Sequence, residues 1–330
     1  MRHMPGLDSL ESLLAQFKHS RAYIVPMTDN AGKALGNNGD DLMHAVFYKI
    51  LEEFGIVREE DSSSADVIIV PPNGALLEMY SFPQLLADKI KDLKNTPLVI
   101  FPSSAYFPTL NPSFIFEGRN APSLWILREE NSFNHLATVW GKSLDETGVM
   151  LALDHDVVAS GHKFVPALIG DLSVGRPLVS ARLDKESAPV SSRPMVQQRA
   201  SRITILQKYV AAKLPYGSLY TALARWARKG ALNTAGKKLL GVLEPADVFG
   251  HQMRNARFVD ASSPEYATFN EYTRMIASAS IVVTDRLHVG LPAAIMGKDV
   301  VLVEAGYHKL GGVYAQSLKA LSNVTFVQRR

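Results

Sequence analysis

Hydrophobic positions along the first half of the chain follow two alternating patterns. Short apolar runs at Ala22–Val25, Asp66–Val70, Leu98–Phe101, Leu124–Leu127 and Met150–Leu153 read as buried strands. Between them, Asp41–Phe54 and Phe82–Leu93 carry apolar residues at helical spacing, the first ended by Gly55, and Arg128-Glu129-Glu130 opens another helix. Strands alternating with helices predict a parallel sheet. A second series starts near Gly170, with a strand at Pro177–Ala181, a helix over Glu265–Ala277 and a further strand at Asp299–Glu304. The expected fold is therefore α/β, with two doubly wound, Rossmann-like domains facing a cleft, residues 1–169 and 170–330.

Within the second half, Ile281–Gly297 concentrates the chemistry. An apolar β-branched run ends in Thr284-Asp285, then Arg286-Leu287-His288, then a small-residue helical pattern. A strand running into a helix entrance aims backbone N–H groups and the positive dipole end at one place, which suits an anion. Arg286 adds a fork for phosphate or carboxylate, and His288 a group that exchanges protons near neutral pH. Proline is tolerated in the first helical turn, so Pro292 predicts a helix beginning just after His288, with Arg286 and His288 on an exposed turn. The next strand leads into Gly306-Tyr307-His308-Lys309-Leu310-Gly311-Gly312, read as a glycine-flanked loop. Neighbouring parallel strands deliver their C-terminal loops to one crevice, so Lys309 is expected to face the same space as Arg286.

The first half has its own strand-end groups. Gly36-Asn37-Asn38-Gly39-Asp40-Asp41 precedes a helix, where Asp40 serves either as its cap or as a group facing the cleft. Arg128, Glu129 and Ser132 follow the Leu124–Leu127 strand; Glu129 suits a helix's first turn. Arg182-Leu183-Asp184 ends the Pro177–Ala181 strand, leaving Arg182 as an anion ligand or as the partner of Asp184.

These segments carry a family resemblance. TDRLHVGLPAAIMGK followed by YHKLGG is similar to the C-terminal signature of the polysaccharide pyruvyl transferases. Asn37, Gly39 and Asp40 match that family's Asn-x-Gly-Asp motif, and Arg128, Glu129 and Ser132 its Arg-Glu-x-x-Ser segment. The similarity covers both ends of the chain well and the middle poorly. One departure is Pro72-Asn73-Gly74, where the family commonly has three glycines. The resemblance implies a GT-B-like fold and a reaction in which phosphoenolpyruvate (PEP) gives its pyruvyl group to a sugar diol. The acceptor would belong to an exopolysaccharide or a lipid-linked glycan precursor; the products would be a ketal and phosphate. It implies His288 and Asp40 as catalytic groups, Arg286, Lys309, Arg182 and Arg128 as ligands of substrate, and Asn37 as a ligand of the acceptor. The first domain would be the acceptor side and the second would bind PEP. A GT-B glycosyltransferase using a nucleotide sugar would place its phosphates at the same helix entrance, and a non-catalytic glycan-assembly scaffold is a third reading.

Composition narrows this picture. The chain has 330 residues and no cysteine, which excludes disulfides, thiolate metal sites and a cysteine nucleophile. Neither a Gly-x-Gly-x-x-Gly fingerprint nor a Walker loop is present, so no dinucleotide or ATP cofactor is expected. Asp154-His155-Asp156 has the residue types but not the spacing of a metal site, and none is expected. The polar N-terminal stretch and the lack of long apolar runs lead to the expectation of a cytoplasmic protein.

Net charge is unevenly distributed. Ser187–Leu243 holds ten Lys and Arg and no Asp or Glu; its +10 against the chain's +3 leaves −7 elsewhere. Ile203, Leu206, Val210 and Leu214 recur at helical spacing there, as do Leu219, Leu223 and Trp226. Such an insertion, 187–243, is expected to dock on an anionic membrane surface, with a solvated insertion or an oligomer contact as the alternatives. No nucleic-acid module accompanies the charge, so no nucleic-acid partner is expected.

Overall fold

The computed structural model describes residues 9–29, 31–32, 35–170, 175–183, 217–243, 252–304 and 309–328. The chain divides into two compact units. The first comprises Met1–Gly36, Met43–Phe164 and Ala315–Ser317; the second comprises Asn37–Leu42, Val165–Tyr314 and Leu318–Arg330. The Asn37–Leu42 segment thus groups with the second unit, although the rest of its helix, Asn38–Glu53, belongs to the first.

The first unit is built on seven strands: β1 (Arg21–Ile24), β2 (Val57–Glu59), β3 (Val67–Val70), β4 (Asn73–Leu77), β5 (Leu98–Tyr106), β6 (Ser123–Leu127) and β7 (Val149–Leu153). They pair in the order β2-β1-β3-β5-β6-β7, with β4 added alongside β5, and all are parallel. Every residue of β3 and β6 is buried, as expected of parallel strands covered on both faces. β5 runs five residues beyond the expected Phe101. Pro102 has no N–H for the ladder, and the pairing of β5 with β6 jumps there from Ile100 to Ser103. The extended end of β5 pairs with β4, which begins in Asn73-Gly74 and so reads locally as a turn. The helix Phe82–Ile90 packs the core shared by Ile68, Leu98 and Trp125.

The second unit has β8 (Leu178–Ser180), β9 (Arg257–Val259), β10 (Ile281–Thr284), β11 (Asp299–Val303) and β12 (Val324–Val327), all parallel, in the order β12-β11-β10-β8-β9. Numbered within the unit this is 2-1-3-4-5, a doubly wound order. The expected strands in this unit are present, and β9 and β12 join them at the two edges of the sheet. The helix expected over Glu265–Ala277 starts at Phe269 instead. Thr268 caps it and Glu271 bonds back to the Thr268 N–H, a capping box that sets the boundary. Lys309 opens a helix, Lys309–Val313, rather than sitting in a loop. The first amphipathic stretch of the basic block, Ile203–Leu214, lies outside the described residues; the second forms a helix, Ser218–Ala227, followed by Lys229–Leu240.

Candidate functional site

In the second unit, β8 lies between β9 and β10, so the chain leaves β8 toward one side and crosses back to the other. In open parallel sheets ligands bind beyond the carboxyl ends of strands at such a reversal. The loops after β8, β9 and β10 bring Arg182, Asp260, Asp285 and Arg286 there. Arg286 donates from Nε to Asp260 Oδ1 at 3.0 Å and from Nη2 to Asp260 Oδ2 at 2.5 Å, and it is 7% exposed. Asp260 Oδ2 also accepts from the Leu183 N–H at 3.2 Å, and Asp285 accepts from the Arg182 N–H at 2.9 Å. Thr284 Oγ1 donates to the Ser180 carbonyl and accepts the Arg286 N–H, locking β10 to β8 just before the junction.

Arg286 is therefore not on an exposed turn. It is the N-cap of a helix, Leu287–Ile295, and His288 lies half-buried inside the first turn. The expectation that Pro292 would mark the first turn fails for an identifiable reason. Proline inside a helix leaves the carbonyl four residues earlier without its N–H partner. That carbonyl belongs to His288, and the buried Tyr272 hydroxyl donates to it. The helix continues past the proline, with the Met296 N–H bonded to the Pro292 carbonyl. Burial, with the nearby Asp40 and Asp41 charges, holds the Tyr272 phenol well above its usual value, so it stays a donor. Gly290 lets this helix meet β11: a Cβ there would lie 2.3 Å from Leu302 Cδ2.

The Asn37–Asp40 segment reaches the same place. Asn37 Oδ1 accepts the Gly39 N–H at 2.8 Å and Asp40 Oδ2 accepts the Asn37 N–H at 2.8 Å, a reciprocal cap in which Asn37, not Asp40, is the N-cap. The next residue, Asn38, is buried and donates to the carbonyls of Ala261 and Ala267 while its N–H bonds Ser262. This fastens the turn to the loop after β9. A Cβ placed on Gly39 would lie 2.8 Å from His288 Cβ and 3.0 Å from Asn37 Oδ1, so only glycine lets the imidazole-bearing turn come this close. His288, Asn37, Asp40, Arg286 and Arg182 thus gather in one unit. Lys309 follows β11, the strand beside β10, across residues 305–308, which lie outside the described residues.

Arg128 belongs to the other unit. In the first unit it is 1% exposed, bonded through Nε to Ser104 Oγ at 2.9 Å and through Nη1 to Asp156 Oδ2 at 2.8 Å. It ties the ends of β5, β6 and β7 together through these two bonds. Glu129 is the N-cap of the helix Glu130–His135, accepting the Ser132 N–H and hydroxyl, so the Arg-Glu-x-x-Ser segment builds a strand-to-helix junction. Asp154, His155 and Asp156 bond three different partners: Asp154 takes the His155 N–H, His155 meets Ser317, and Asp156 meets Arg128. Among the described residues no cluster of three or more His, Cys, Asp or Glu is arranged to hold a metal.

Asp260 and Tyr272 were not singled out from the sequence. Asp260 follows a three-residue strand too short to stand out, but its place as an acid after Phe258-Val259 is the same strand-end signal that marked Arg286. Tyr272 sits on the buried face of an amphipathic helix, where an aromatic reads as core.

No family model matches the chain, and no curated protein does. Among solved structures, a protein of Klebsiella pneumoniae subsp. pneumoniae described as uncharacterized aligns over 96% of this chain and 96% of its own. Its TM-score is 0.56 and its sequence identity 18%, a likeness of fold. The chain is a mixed α/β protein with two parallel, Rossmann-like sheets, and among its described residues no helix is long and apolar enough to cross a membrane.

Proposed function

We propose that the protein is a PEP-dependent ketal pyruvyl transferase of GT-B-like architecture, acting on a glycan diol. The observation that carries this reading is the meeting of two motifs from opposite ends of the chain: His288 packs against the Asn37–Asp40 turn at the strand-order reversal of the second unit. A proton-exchanging group, a carboxylate and a helix entrance then share one location. Protonated His288 gives its proton to the PEP methylene carbon, making a methyl group and a cation at the adjacent carbon. A sugar hydroxyl attacks that carbon, with Asp40 or the imidazole receiving its proton. Phosphate leaves, and the second hydroxyl closes the ketal, its proton departing with the phosphate. Two hydroxyl protons are lost; one replaces the proton spent on the methyl group, the other leaves on phosphate.

Asp260 engages two of the five Arg286 N–H donors and balances its charge. The charge of PEP therefore falls on Arg182, Lys309 and the helix N–H groups, with Arg286 held in a fixed plane as a directional donor. Calorimetry with PEP and with a panel of nucleotide sugars, followed by phosphate release in the presence of glycan diols, tests the reading. Saturable PEP binding and acceptor-dependent phosphate release are expected. Binding of a nucleotide sugar with glycosyl transfer, and no response to PEP, would overturn it.

A further inference from the structure

The helix Ser218–Ala227 is turned opposite to the usual arrangement of a surface helix. Two of its polar residues face the protein: Thr221 is fully buried and donates to Glu271 Oε2 at 2.6 Å, and Arg225 donates to Glu271 Oε1 at 2.9 Å and to the Tyr266 carbonyl. Tyr220 and Ala224 complete the buried side. Its outward stripe is Leu219, Leu223 and Trp226, which are 66%, 44% and 78% exposed. Residues i, i+4 and i+7 lie along one helical face, so the three form a continuous apolar ridge. Ala222 is exposed beside them. An amphipathic helix gains from facing its apolar stripe into the core, and here the Arg225–Glu271 pair and the Thr221 bond hold it the other way round.

The surroundings say what meets this ridge. From Gly217 to Leu243 there are five cations and no acid, and Lys229, Lys237 and Lys238 are exposed. We infer that Leu219, Leu223 and Trp226 form a docking ridge for an anionic phospholipid bilayer, with the lysines of the following helix meeting the headgroups. Tryptophan prefers the boundary between headgroups and acyl chains, and exposed lysines gain from a negative surface potential. Two other occupants fit the charge less well. The chain's own segment 187–216 carries Arg193, Arg199, Arg202, Lys208 and Lys213 with no acid, and a second copy would set one cationic face on another. The inference does not depend on the reaction proposed above, because vesicle binding needs neither PEP nor acceptor.

The experiment is flotation of the full chain with vesicles of phosphatidylglycerol mixed with phosphatidylcholine, and with phosphatidylcholine alone. Wild type is expected to float with the anionic vesicles, with a salt-sensitive partition coefficient. Trp226→Ser is expected to lower that coefficient by roughly tenfold or more, the burial lost from one large apolar side chain. Lys237→Glu with Lys238→Glu is expected to remove the preference for anionic lipid. All three positions are exposed, so an unchanged circular-dichroism melt serves as the folding control. Equal flotation of wild type and Trp226→Ser would overturn the inference. So would failure to bind anionic vesicles, or a Trp226-dependent dimer that ignores lipid.

Discussion

Replacing Tyr272 by Phe removes one oxygen, and the structure says what that oxygen does. Pro292 has no N–H to give the His288 carbonyl, and the Tyr272 hydroxyl supplies the missing bond. Tyr272 is 0% exposed, and nothing in a phenylalanine ring would replace its hydroxyl as a donor. A buried carbonyl left without a partner costs about 1–3 kcal/mol. With a urea m-value of about 1–3 kcal/mol per molar, the midpoint should fall by roughly 1 M while m itself is unchanged. The control is Pro292→Ala, where residue 292 regains its N–H and the His288 carbonyl an ordinary helical bond. In that background Tyr272→Phe should cost markedly less, a coupling of about 1 kcal/mol or more in the double-mutant cycle. Urea denaturation followed by circular dichroism, with hydrogen exchange across Leu287–Ile295 to localise the effect, measures both. An equal cost in the two backgrounds, or no cost in either, would refute the account of how this helix tolerates its proline.

Three further outcomes are expected. Gly39→Ala places a methyl group 2.8 Å from His288 Cβ, so kcat/KM for PEP should drop about 100-fold for a displacement near 1 Å. The stability cost should stay within about 1–3 kcal/mol, and undiminished turnover would separate His288 from this turn. Asp260→Asn removes the carboxylate partner of the buried Arg286 and should cost about 3–5 kcal/mol, whereas Asp260→Asn with Arg286→Met should cost less than the single change; thermal melts of both variants decide it. Burial alone would raise the Glu271 carboxyl, but Arg225, Thr221 and the Thr268 N–H more than reverse this and hold it at about 2, below its usual 4.5. A depressed folded pKa stabilises above the unfolded value and is lost on acidification. The stability advantage of wild type over Glu271→Gln should therefore be constant above pH 4.5 and shrink between 4.5 and 2, and a gap unchanged across that window would contradict it.

The parallel sheets were legible because buried parallel strands are continuous apolar runs, as in Val67–Val70 and Ile281–Thr284. β2 and β9 were not, being three residues long with one or two charged or exposed positions, and β4 opens in a turn-like Asn-Gly. Residue types in the sequence marked polar groups at strand ends, but not what each group would bond. Arg286 and Arg128 look alike in sequence, each a cation after an apolar strand. Asp260 and Asp156, distant in sequence from them, decide that both are buried ion pairs. The Pro292 reading failed because a proline's effect on a helix depends on a partner for the freed carbonyl, and that partner comes from another helix. The grouping of Asn37–Asp40 with His288 is likewise tertiary, carried by the Asn38 bonds to Ala261 and Ala267.

Running the reaction in deuterated water tests the central claim most directly. If PEP is protonated at its methylene during transfer, mass spectrometry of the acceptor will show a pyruvyl ketal whose methyl group carries one solvent deuterium. His288→Ala should lower its rate of formation by about 100- to 10,000-fold while leaving PEP binding largely intact. A ketal formed at the wild-type rate by His288→Ala, or an acceptor that gains no ketal from PEP at all, would contradict the account.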